Sequence, residues 1–173
     1  MRTLKAAIAV FVVSATAFVS APSTSALTNN QIEAQLATRT FNIINNQRAA
    51  RGLPRLARLA VVDRQAKAHT VWLANNRYGE PAFGNKDPHQ GFSGRANRIN
   101  AAIGISGACE NVAMASGYTD WRQVPRVFFG LWKNSPPHNA CLFNKAGFRA
   151  NGGGIAFEKR GRKYYSTFIA VKN

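Results

Sequence analysis

Acidic residues are scarce in this chain. Seven Asp and Glu stand against 23 Lys and Arg in 173 residues, a formal net charge of +16. Such an excess favours anionic surroundings: cell-wall polymers, acidic lipids or nucleic acid. The arginines are scattered rather than gathered into a basic helix or tail, and no nucleic-acid-binding motif is present, so no specific nucleic-acid partner is expected. Solubility and non-specific adhesion account for the charge equally well. Cysteine is nearly missing too, with only Cys109 and Cys141. The lack of Cys-x-x-Cys argues against a thiol oxidoreductase. The lack of a Gly-x-Ser-x-Gly elbow argues against a serine hydrolase of that type. Without His-Glu-x-x-His, any metal hydrolase site would have to be assembled from distant loops. No internal repeat or low-complexity segment is visible, and nothing after the first residues approaches a membrane span.

What is there begins with a secretory pattern. Arg2 and Lys5 form a short basic region, Ala6 to Val19 is almost all apolar or small, and small residues run on to Ala26. Residues 1–26 read as a signal peptide, with a cut after Ala26 or, nearly as well, after Ala21. The apolar run is too short and too interrupted by Ser and Thr for a membrane anchor. The remaining residues 27–173 make one domain of 147 residues with a charge of +14, enough for a sizeable core. In an exported chain, Cys109 and Cys141 most simply pair with each other.

Thr28 or Asn29 is placed to cap a first helix, in which Ile32, Leu36, Ile43 and Ile44 share a face until Gly52 and Pro54 end it. Leu59, Val62, Ala66, His69 and Leu73 keep the same rhythm in a second helix. His69 lies on that apolar stripe, which suits a core histidine with one satisfied ring nitrogen; a place at the edge of a cleft is the alternative. Residues 75–93 are rich in Gly, Pro and Asn and read as a long loop carrying His89. A short helix is expected over Ala96–Ile103, and a brief strand or helix start at Glu110–Ala113. Val124, Val127, Phe128, Leu131 and Trp132 mark the apolar face of a further helix that must stop before Pro136-Pro137. Its aromatics, with Phe129, fall at core spacing rather than on a base-stacking platform. Alternation through Ile155 and Phe157, a polar turn over Glu158–Lys163 and the β-branched and aromatic run Tyr164–Val171 predict an antiparallel hairpin. Helices first and strands last point to α+β.

His89, Glu110 and His138 are the candidate site residues. Two imidazoles and a carboxylate suit a borderline divalent cation such as zinc, or a general acid/base set. Each also has a plainer reading: His89 solvated on its loop, Glu110 holding loop amides or an arginine such as Arg95 or Arg98, and His138 capping a turn.

Four motifs in order resemble the CAP superfamily of cysteine-rich secretory, antigen 5 and pathogenesis-related 1 proteins, also called SCP domains. Asn45, Arg48 and Gly52 look like its N-x-x-R-x-x-x-G helix. Cys109-Glu110-Asn111-Val112-Ala113 looks like G-E-N-[VIL]-A, with Cys in place of Gly. Trp132 to His138 looks like the W-x-x-S-P-x-H of its bacterial-type branch, and Gly152 to Ala156 fits the following G-x-G-x-A strand. The resemblance spans roughly residues 32–171. It implies an α-β-α sandwich, a central antiparallel sheet covered by helices on both sides, with a surface cleft. It places the family's two histidines on His89 and His138 and its first glutamate on Glu110. A second family glutamate falls at about Ser135, so that acid is missing here. The expectation is a secreted, monomeric, non-enzymatic domain. Its cleft would take a lipid or sterol, or an extracellular, anionic cell-surface polymer, in microbe–host interaction or defence. The alternative is a metal-dependent hydrolase with His89 and His138 as zinc ligands and Glu110 as general base.

Overall fold

A computed structural model describes residues 26–144 and 147–173. The signal-peptide expectation for residues 1–26 therefore lies almost wholly outside the described residues. Five helices and a four-stranded sheet are seen: α1 (Asn29–Ala49), β1 (Ala57–Arg58), α2 (Ala60–Asn75), α3 (Phe92–Ile103), β2 (Gly107–Ser116), α4 (Val124–Asn134), α5 (Pro136–Leu142), β3 (Gly152–Arg160) and β4 (Lys163–Lys172).

The strand order is β1-β3-β4-β2, with β4 antiparallel to both β3 and β2. The two-residue β1 departs from the expected all-antiparallel sheet and pairs in parallel with the start of β3. Side chains alternate across a strand, so each strand serves two layers. One face carries Ile155, Phe157, Tyr164, Phe168, Ala170, Ala113 and Ala115, packed under α1, α4 and α5. The other carries Ala156, Ile169 and Val171 under α2 and α3, with Val112 and Tyr165 beside Leu73 of α2. Helices cover the sheet on both sides, as the resemblance implies.

Thr28 caps α1 through a full capping box with Gln31, satisfying two of the orphan N–H groups at the helix start. Near the other end, Asn45 bonds both the N–H and the carbonyl of Leu56, at 2.8 and 3.0 Å. Arg48 is fully buried and donates to the carbonyls of Pro54 (2.9 Å), Leu142 (2.7 Å) and Ala150 (3.0 Å), and to Oδ1 of Asn144 (3.1 Å). Burial pushes its pKa down, as desolvation penalises the charged form. The Asn and Arg of the first motif thus lock α1 to the connections that lead into β1 and β3.

Gly154 is where α2 rests on the sheet. A β-carbon there would stand 2.5 Å from the amide nitrogen of Asp63 and 2.7 Å from the carbonyl carbon of Val62, so only glycine admits the helix. Asp63 returns a hydrogen bond of 2.9 Å from the N–H of Ile155.

Two local expectations need correction. Leu131, expected on the apolar face of α4, is 45 % exposed, while Phe129, expected at core spacing, is buried. The segment around Glu110 is a full ten-residue strand, paired residue for residue with β4. α4 stops at Asn134, before Pro136-Pro137, as expected. Pro136 and Pro137 open the short helix α5, where their missing N–H groups cost nothing.

Candidate functional site: a histidine–glutamate edge on β2

Strand β2 is an edge strand, and it carries Cys109, Glu110 and Asn111 in succession. Alternation sends Glu110 to the α2/α3 side and its two neighbours to the α5 side. Glu110 is almost sealed, its side chain 1 % exposed. Arg95 of α3 grips it in a fork, Nε to Oε2 at 2.8 Å and Nη2 to Oε1 at 2.7 Å. Nδ1 of His89 donates to the same Oε1 at 3.0 Å. A third imidazole, His69 of α2, places Nε2 at 3.7 Å from Oε1, outside hydrogen-bonding range.

His69 is nevertheless bonded. Its Nε2 lies 2.8 Å from the carbonyl of Pro88, which can only accept, so that nitrogen carries the proton. The ring stacks on Trp72, centroids 5.4 Å apart. Burial lowers its pKa against the opposing pull of Glu110, so the ring is neutral at pH 7. Both sequence readings of His69 hold at once: it is a core histidine with one satisfied nitrogen, and it borders the site.

The long loop expected over residues 75–93 runs from 76 to 91 and is held down at several points. A 3-10 turn at Pro81–Phe83 buries Phe83. The N–H of His89 donates to Oδ1 of Asp87 at 2.8 Å. Arg95 adds Nη1 to the carbonyl of Gln90 at 2.8 Å. Arg95 is thus the hub that joins the His89 segment to Glu110. The reading that Glu110 holds an arginine is correct, and the arginine is Arg95; Arg98 bonds Gln65 instead.

On the α5 side, Cys109 bonds Cys141, Cα–Cα 5.8 Å apart. Asn111 donates to the carbonyl of His138 at 2.9 Å. These two ties seat α5 against the edge strand so that His138 meets His89, ring centroids 6.4 Å apart. Desolvation, and then the charge of His89, lower the pKa of His138. The structure therefore brings all three predicted site residues to one edge. Ser135, standing where a second acid would fall, is the N-cap of α5 and contributes no carboxylate. Beside the site, a depression of about 210 Å³ is lined by His69, Trp72, Gln90 and Arg95 among others.

The chemistry open to this set is limited by Glu110. Three N–H donors already occupy its oxygens, and its exposure leaves no path for water. A general base must reach the proton it abstracts, and Glu110 does not reach solvent. His89, 37 % exposed, and the half-buried His138 are the members of the set that face solvent.

Comparison with known proteins agrees with this architecture. The sequence model of the cysteine-rich secretory protein family, CAP, matches residues 41–171. An extracellular protein containing an SCP domain from Bacillus anthracis superposes with a TM-score of 0.58 at 23 % identity, covering 87 % of this chain and 45 % of that one. A cysteine-rich secretory protein from Staphylococcus aureus gives 0.55 at 17 % identity, covering 82 % and 40 %. An outer surface protein from Borrelia burgdorferi gives 0.52 at 19 % identity, covering 77 % and 89 %. This chain thus spans less than half the length of the first two, and identities this low speak to fold alone. No curated protein sequence matches it.

Proposed function

This chain belongs to the cysteine-rich secretory protein (CAP) family, and we propose that it acts outside the cell as a non-enzymatic binding module, holding its ligand between His89 and His138. The observation that carries this reading is the state of Glu110. Its carboxylate is spent on Arg95 and His89, so it serves as a buried anchor and not as a base. His89 uses Nδ1 on that anchor, which leaves Nε2 for a partner. His138 is disfavoured as a cation and offers one donor and one acceptor nitrogen. Two such rings suit a ligand with a hydroxyl or ester oxygen at its head, such as a sterol or another lipid. The extracellular and outer-surface character of its structural neighbours supports the placement. A divalent cation such as zinc would draw on the same two imidazoles.

Native mass spectrometry of the protein recovered from its own secretion tests the reading. A carried organic mass is expected, absent from His89→Ala/His138→Ala. An adduct that survives in the double variant would remove the ligand from this cleft. A single zinc and no organic adduct would replace a lipid module with a metal site.

A further inference from the structure

A second concavity lies on the opposite layer, between α1 and α4. It measures about 750 Å³ and draws Arg39 from α1, Arg122 from the 3-10 turn Trp121–Gln123, and Arg126 from α4. Ile43 and Val127 form an apolar wall. The guanidinium carbons of Arg39 and Arg122 lie 5.1 and 5.2 Å from the centroid of the Trp121 ring. Arg126 makes no hydrogen bond or ion pair among the described residues. Asp120 reaches Arg122 at 3.3 Å, so three guanidinium charges share one groove with one carboxylate.

Three like charges in one groove repel each other. The Trp121 ring offsets part of this through its cation–π contacts with Arg39 and Arg122. It also fixes two of the three forks in direction before any ligand arrives, which lowers the entropy lost on binding. An oxyanion-bearing ligand would relieve the rest. The concavity opens to solvent rather than enclosing a small molecule, which suits part of a larger ligand. Single-stranded nucleic acid gains affinity by stacking bases on a free aromatic face, and here Trp121 is already taken by guanidinium groups. A flat lipid surface does not fit a concave site.

We propose that this groove binds an acidic extracellular polysaccharide, whose oxyanions pair with Arg39, Arg122 and Arg126. The proposal rests on the extracellular placement argued above but not on the histidine cleft.

The test is binding of the full chain to immobilised polygalacturonate at about 0.15 M salt, where the Debye length is about 8 Å. Loss of three charge-assisted contacts in Arg39→Gln/Arg122→Gln/Arg126→Gln should weaken binding by about tenfold or more. The control Arg64→Gln/Arg98→Gln/Lys172→Gln removes the same charge from exposed positions away from the groove and should stay within about threefold, since screening limits what distant charges contribute. The cleft variant His89→Ala/His138→Ala should bind polygalacturonate as the parent does, which separates this site from the cleft. Equal losses in both triple variants would reduce the effect to bulk charge and overturn the proposal. So would undiminished binding by the groove variant, or tighter binding to a single-stranded DNA oligonucleotide of matched charge.

Discussion

The side-chain amide of Asn111 donates to the backbone carbonyl of His138 at 2.9 Å, from the strand position next to Glu110. Cys109, on the other flank of Glu110, is covalently joined to Cys141 three residues beyond that histidine. Consecutive residues of one strand point to opposite faces. Three adjacent positions therefore set both halves of the site. Glu110 fixes His89 on one side, while Cys109 and Asn111 fix His138 on the other.

Asn111→Ala removes the tie to α5 and leaves the His138 carbonyl without this donor. Destabilisation of about 1–2 kcal/mol is expected, measured as a lower urea midpoint at unchanged slope. Cleft-ligand affinity should fall with it. A variant as stable as the parent would show that α5 is held without this bond.

The disulfide closes a loop with a sequence separation of 32. In the chain-entropy account a loop of this length stabilises by about 4 kcal/mol. Cys109→Ala/Cys141→Ala should lose a large part of that in chemical denaturation and should loosen the cleft. Intact mass of the parent should be two hydrogens below that of the reduced chain. Thiol labelling of both cysteines in the folded parent would contradict the bridge.

Glu110→Gln leaves the Arg95 guanidinium buried and uncompensated. Breaking one partner of such a pair costs about 3–5 kcal/mol. Arg95→Met should be comparably damaging, and Arg95→Met/Glu110→Leu should recover much of the loss because neither charge then remains. If Glu110→Gln unfolds at the parent's urea midpoint, the ion pair is not what organises this edge.

Acid should destabilise the fold through His69 and His138. Burial lowers both pKa values below the ordinary 6.5. The unfolded chain therefore takes up these protons at a higher pH than the folded one. Their contribution is fully present above about pH 6.5 and is lost as pH falls through the lowered values. Thermal midpoints measured from pH 7.5 down to 5 should decline. His69→Gln, which keeps an N–H for Pro88, should flatten the decline, and an unchanged profile would discharge His69 from that role.

The sequence made the helices and the hairpin legible because their burial follows a period. Leu36 and Ile44, or Phe157 and Phe168, repeat at the spacing their element demands, and all are buried. The second strand was harder to read. Its residues are small, and its buried positions include Glu110 and Asn111 as well as Val112 and Ala113, so no alternation of apolar and polar marks it. Leu131 misled because helical spacing places it beside the buried stripe of Phe128 and Trp132, while tertiary packing leaves it exposed. Within the site, His89, Glu110 and His138 were recognisable from motifs. Asn111 was not singled out, although strand alternation beside Glu110 would have sent it towards α5. Arg95 was one of two arginines at hand, and the direction of α3 alone decided between them.

The absent side chain at position 154 acts at a distance. Asp63 and His69 lie six residues apart on one helix, about 9 Å along its axis. Were residue 154 alanine, its methyl would wedge the start of α2 away from the sheet. The helix would then swing as a lever, carrying His69 off Pro88 and, with it, the strand-edge seat of His89. The registration of the binding edge is thus set partly from a place that touches none of its residues. Substitutions at 154 should therefore lower the urea midpoint and disturb the His69–His89 edge together.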